Sequence, residues 1–108
     1  MARLVEIEEI ARIAVNCGYR LHRDLGPGLL ESAYEALMTE ALRQSGVSAQ
    51  RQVAVPLRYN GVVLDNAFKI DLLVEDRLVV ELKSVEKLTA VHGKQVLTYL
   101  RLMHLPLG

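Results

Sequence analysis

Asp71, Glu81 and Lys83 are the residues whose types and spacing could do chemistry. Glu81 and Lys83 lie two apart in VVELKS (79–84), a run that otherwise reads as a strand. Strand side chains alternate, so this acid and base share one face and Leu82 takes the other. Asp71 lies in the preceding apolar run, VVLDNAFKIDLLVE (62–75). A three-residue turn centred on Asp76 sets Leu72 opposite Val80 and Leu82 diagonal to Ile70. Ile70, Leu72 and Val74 then share one face with Leu78, Val80 and Leu82, the register that a buried face favours. It also sets Asp71 beside Glu81, with Cβ atoms roughly 4.5–5.5 Å apart. Two carboxylates so placed repel each other, and a divalent cation between them removes the repulsion. Hard cations such as Mg²⁺ take one or two carboxylates plus water and phosphate oxygens. Lys83, on the same face, would orient an attacking water or stabilise charge on a phosphate. The competing reading is a surface ion pair between Glu81 and Lys83, worth ~0–1 kcal/mol. Asp71 is harder to explain as structure alone, because a buried carboxylate needs partners and only Lys69 or Lys83 is near.

The elements that position these residues follow from periodicity. Residues 5–24 read as a helix with Ile7, Ile10, Ala14, Cys17 and Leu21 on one face and three acids, Glu6, Glu8 and Glu9, near its positive end. LGPG (25–28) ends it. A second helix is expected from Leu29 to Gln44, with Leu30, Ala33, Tyr34, Leu37, Ala41 and Leu42 as its stripe and Gly46 as a left-handed cap. QVAVPLRY (52–59) has strand character, and Pro56 marks an edge strand or a bulge. Asn60-Gly61 is a tight-turn signal. After LVVELKS, a last helix is expected from about Thr89, carrying Val91, Val96, Leu97, Leu100 and Met103. The order is two helices, three or four strands joined by short turns, and a helix. That is an α+β fold on a small, mainly antiparallel sheet, not an alternating parallel one.

Composition narrows the class. The 108 residues fit one domain with one core. A hydrophobic share of 51% excludes a disordered chain. Thirteen basic and thirteen acidic residues cancel, which argues against tight charge-driven binding of nucleic acid but leaves room for a local basic groove. Arg51, Arg58, Lys69, Lys87 and Lys94 are candidates for one. Cys17 is the single cysteine, so no internal disulfide and no cysteine-rich zinc site forms. A cytoplasmic protein is expected, with no membrane span and no signal peptide. His22, His92 and His104 have no metal-ligand spacing. His92, three before Gln95, is placed to face the site and bind phosphate or water. There is no phosphate-binding glycine loop and no serine with His and Asp companions.

At this point the chain resembles a known group. GLLESAY (28–34) matches the motif that names the GxxExxY proteins, and the match extends through HRDLGPGLLESAYE, FKIDLLVEDRLVVELKSVEKL and VHGKQVLTYLRL. An acid on one strand followed by Glu-x-Lys on the next, here Asp71 and Glu81-Leu82-Lys83, resembles the PD-(D/E)xK nuclease-like superfamily. The resemblance implies a restriction-endonuclease-like fold spanning residues 1–108. It implies Mg²⁺ or Mn²⁺ held by Glu31, Asp71 and Glu81, with Lys83 as the catalytic lysine. Gln95 and Tyr99, four apart on one helix face, match the superfamily's helix-borne positions, and Gln95 would help orient the water. Tyr34 and His92 are possible accessory groups. The implied reaction is phosphodiester hydrolysis, with DNA as the expected partner. Bland readings stand beside these: Glu31 as an acid favouring a helix start, Tyr34 and Tyr99 as packed aromatics with tethered hydroxyls, Cys17 as core. Family members continue past Leu-Pro-Leu-Gly with another apolar strand and a basic tail. The expectation is therefore a domain short of its last core strand, with an open sheet edge that favours a homodimer. The rival from another class is a catalytically inactive interaction module that keeps the fold and binds a partner or itself.

Overall fold

The computed structural model describes residues 6–83 and 88–108. The elements are α1 (Ile7–Leu25), α2 (Glu31–Gln44), β1 (Ala49–Tyr59), β2 (Val62–Val74), β3 (Leu78–Val80) and α3 (Ala90–Met103). The strands form one antiparallel sheet in the order β1-β2-β3. The fold is α+β, as the element order implies.

The helix α1 buries Ile10, Ala14 and Cys17, with Ile7, Ile13 and Leu21 packed beside them, the face its spacing predicts. In α2 the buried face is rotated from the expected one. Glu35, Met38 and Leu42 point inward, whereas Leu30 and Leu37 are exposed. Position 35 shares a face with 38 and 42 by the helical repeat, so an acid occupies the inward stripe. Gly46 takes the positive φ that closes α2, and Val47 donates back to the Leu42 carbonyl. In α3 the inward residues are Val96, Tyr99, Leu100 and Met103, while Val91 and Leu97, expected on that stripe, face solvent.

Two cores lie on opposite faces of the sheet. Under α1 and α2 sit Leu72, Val74 and Leu78, with Val80 and Leu82 beside them. Under α3 sit Val55, Ile70, Leu73 and Val79 around Tyr99. Ile70 thus departs from the expected face, which it does not share with Leu72. The cause is local. Gln52, level with Asp71 in the β1–β2 ladder, has φ +53, a left-handed conformation that interrupts strand alternation. On β1, Ala49 packs with the α1–α2 core and Val53 with the α3 core; on β2 the change falls between Leu72 and Ile70. The sheet therefore exchanges its inward faces at the row of Gln52 and Asp71.

Pro56 lies on an edge strand and at a bulge: the register shifts between Val55 and Leu57. The turn at Asn60-Gly61 has positive φ at both residues, the two-residue hairpin geometry. Glu75, Asp76 and Arg77 make the second turn, with Val74 opposite Leu78 and Leu72 opposite Val80, the expected register. β3 ends at Val80, earlier than the expected 84. Its outer edge meets the C-terminal residues: Leu107 bridges Leu78 in parallel and accepts a hydrogen bond from Val79. Among the described residues no helix is long and apolar enough to cross a membrane.

Candidate active site

Where the β2–β3 ladder ends, side chains take over the pairing. The Asp71 amide donates to Glu81 Oε1 at 3.2 Å, and the Leu82 amide donates to Asp71 Oδ2 at 2.9 Å. This reciprocal pair explains both the early end of β3 and the proximity of the acids. Each carboxylate has one oxygen fixed by a backbone N–H. Of the others, Glu81 Oε2 is 3.9 Å from Lys83 Nζ, and Asp71 Oδ1 is 3.4 Å from Gln52 Nε2.

The Glu81 side chain is only 7% exposed. Burial pushes its carboxyl up to about 7, and the neighbouring Asp71 carboxylate adds to that rise, while the hydrogen bond from the Asp71 amide and the Lys83 charge oppose it. A buried, proton-retaining carboxyl beside a second one marks this pair as the candidate site.

On α3, Tyr99 is 3% exposed and lies near enough to Glu81 and Asp71 to sense their charges. Gln95 Nε2 donates to the Tyr99 hydroxyl at 2.9 Å, and the Tyr99 ring packs on Phe68 at 5.6 Å between centroids. Burial, and then the Glu81 charge, raise the Tyr99 phenol above its ordinary range, so it keeps its proton. Tyr99 is both packed aromatic and neighbour of the acids.

Glu31 does not join Asp71 and Glu81. Among the described residues no three acidic, imidazole or thiol side chains converge on one point. Glu31 instead lines a cavity with His22, Tyr34, Leu82 and Lys83. Lys83 therefore links that cavity to Glu81. The Tyr34 hydroxyl is taken up by the backbone: it donates to the Gly26 carbonyl and receives the Leu29 amide at 3.4 Å. It tethers the loop between α1 and α2. His92 caps α3, its Nδ1 accepting the Thr89 amide at 3.1 Å; this is a different role from the expected phosphate contact. Of the basic candidates, Arg51 pairs with Glu35 and Lys87 lies outside the described residues.

Two residues join the site that spacing did not single out. Glu35, 5% exposed, accepts Arg51 Nε at 3.0 Å and Gln52 Nε2 at 2.8 Å, and Gln52 reaches on to Asp71. A polar chain thus runs from Lys83 through Glu81, Asp71 and Gln52 to Glu35 on α2. The signal that could have found Glu35 is its helical spacing to Met38 and Leu42. Gln52 has none, because its position opposite Asp71 depends on the bulge.

The donor set suits a hard divalent cation. Asp71 and Glu81 offer two carboxylates, each oriented by a backbone amide, and a Mg²⁺ site commonly uses one or two with water and substrate oxygens completing it. Among known families, the family model of the PD-(D/E)XK nuclease superfamily matches residues 8–108. The chain belongs to that superfamily. No curated protein and no solved structure matches it.

Proposed function

We propose that the protein is a metal-dependent nuclease that hydrolyses phosphodiester bonds in DNA. The observation that carries this reading is the reciprocal hydrogen bonding that holds Asp71 and Glu81 side by side, with the Glu81 carboxyl pushed up to about 7. Asp71 and Glu81 would hold one Mg²⁺ or Mn²⁺, which would supply charge stabilisation to the phosphoryl oxygens. Lys83, with its ammonium 3.9 Å from Glu81, orients the attacking water and donates to a phosphate oxygen. Gln95 holds the Tyr99 hydroxyl, and through it limits solvent access to the acids from the α3 side. Glu31 lines the same cavity as Lys83 and helps set the position of water there.

The test is cleavage of mixed double- and single-stranded DNA and RNA with Mg²⁺ or Mn²⁺. Expected is metal-dependent cleavage of DNA that falls about 10²–10³-fold in Asp71→Asn and in Lys83→Ala. Cleavage equal to wild type in both variants would reject the site. Glu31's distance from the acid pair favours a second reading, a module that keeps the carboxylates without the chemistry. That reading requires no Mn²⁺ binding and no cleavage. Leu107 already pairs with the outer edge of β3 at Leu78 and Val79, so self-association, tested by sedimentation over a range of concentrations, would need another surface or displacement of Leu107.

A further inference from the structure

Gln52 is an unusual strand residue. It is neither glycine nor asparagine, yet it holds φ +53 in the interior of β1, a conformation that such residues seldom adopt. Its side chain shows what the conformation achieves. One amide nitrogen donates to Glu35 Oε2 at 2.8 Å and approaches Asp71 Oδ1 at 3.4 Å. Glu35 is itself buried and fixed from the other side by Arg51 at 3.0 Å. Asp71 Oδ2 is already fixed by the Leu82 amide. The amide of Gln52 therefore constrains the remaining oxygen, the one left to face a cation, and does so from an anchor on α2.

We propose that Gln52, anchored by Glu35, is a positioning residue for the acid pair: it sets the orientation of Asp71 so that the carboxylate meets a divalent cation. This rests on the metal-centre reading above. A regular strand conformation at position 52 would preserve alternation there. The left-handed turn of the backbone breaks that alternation and places the side chain between Glu35 and Asp71. The strain and the polar bridge thus share one explanation. Residues that orient a ligand typically change metal affinity by about 10–100-fold when removed.

Gln52→Gly removes the side chain without adding backbone strain, because glycine accepts positive φ; Glu35 and Asp71 both lose the amide, and the Leu82 amide reports on Asp71 alone. Mn²⁺ is titrated calorimetrically into the metal-free wild type and variant, and exchange of the Leu82 amide is followed in both without metal. Expected are a native circular dichroism spectrum, Mn²⁺ affinity at least about tenfold weaker, and faster Leu82 exchange as Asp71 loosens. Gln52→Asn, which also tolerates positive φ but is one methylene shorter, is expected to behave like the glycine variant. Affinity and exchange equal to wild type in both variants would overturn the role of Gln52 while leaving the metal centre intact. Wild type that binds no Mn²⁺, with faster Leu82 exchange in the variants, would uphold the Gln52–Asp71 link and reject the metal-centre reading.

Discussion

At Glu81 burial opposes charge, and the consequence is a pH dependence of known sign. The folded carboxyl titrates at about 7 against an ordinary value of 4.5, so the folded state holds the proton more tightly than the unfolded chain. The stabilisation is complete below about pH 4.5 and is lost as pH rises through about 7. Urea unfolding of the metal-free protein should show stability falling across that window, and Glu81→Gln should flatten the fall. A wild-type profile no steeper than that of the variant would mean that the carboxyl is not desolvated. At this scale the acid pair was legible in the sequence because only three residues join β2 to β3, and the apolar faces admit one register. Glu31 is singled out by a motif, whereas Glu35 is set by the inward stripe it shares with Met38 and Leu42, which the expected stripe of α2 did not include. Gln52 left no signal, since its neighbours are fixed by a bulge that propensity alone does not count.

Among the elements, the β1–β2 hairpin shows how a local defect reorganises a site. Its tip pairs Tyr59 with Val62 around Asn60-Gly61, and that register, continued without interruption, would bring Gln50 opposite Asp71. The irregularity at Pro56, where Val55 pairs Phe68 but Leu57 pairs Leu64, shifts the pairing by two and delivers Gln52. The turn therefore sets half of the register and the bulge the other half. Gly61 has φ +78, so Gly61→Ala forces a side chain into the left-handed region at about 1–2 kcal/mol, measurable as a lower urea midpoint with unchanged slope. An unchanged midpoint would show that the tip contributes little to pairing. The sheet also carries two separate cores, and Leu72, fully buried on the α1–α2 side, tests their coupling. Leu72→Ala should cost about 2–5 kcal/mol, and fluorescence and circular dichroism should still report one transition. Two transitions would mean that the faces unfold independently.

For the molecule as a whole, the balance of charge limits how nucleic acid can be held. The net charge is zero and the sequence pI is about 6.8, so no broad cationic field draws in a polyanion. Basic groups do gather locally: Arg58, Arg101 and His104 line one cleft beside Pro56, at the far end of α3 from its cap. Arg51, by contrast, is committed to Glu35. On the proposed function, affinity for DNA would then come from a few phosphate contacts together with a cation held by the acid pair. Each neutralised phosphate contributes about −0.9 to the slope of log K against log salt on duplex DNA. Two or three contacts give a slope of about −2 to −3, shallow for a DNA-binding protein. Fluorescence anisotropy of a labelled duplex over a salt series, with Ca²⁺ in place of Mg²⁺ to prevent cleavage, measures it directly. Arg58→Ala and Arg101→Ala should each make the slope shallower by about one and leave Mn²⁺ affinity untouched, because neither residue approaches Asp71 or Glu81. A slope near −6 would instead place the binding energy in a cationic surface that the balanced composition gives no reason to expect, and would move the search for the DNA path away from this cleft.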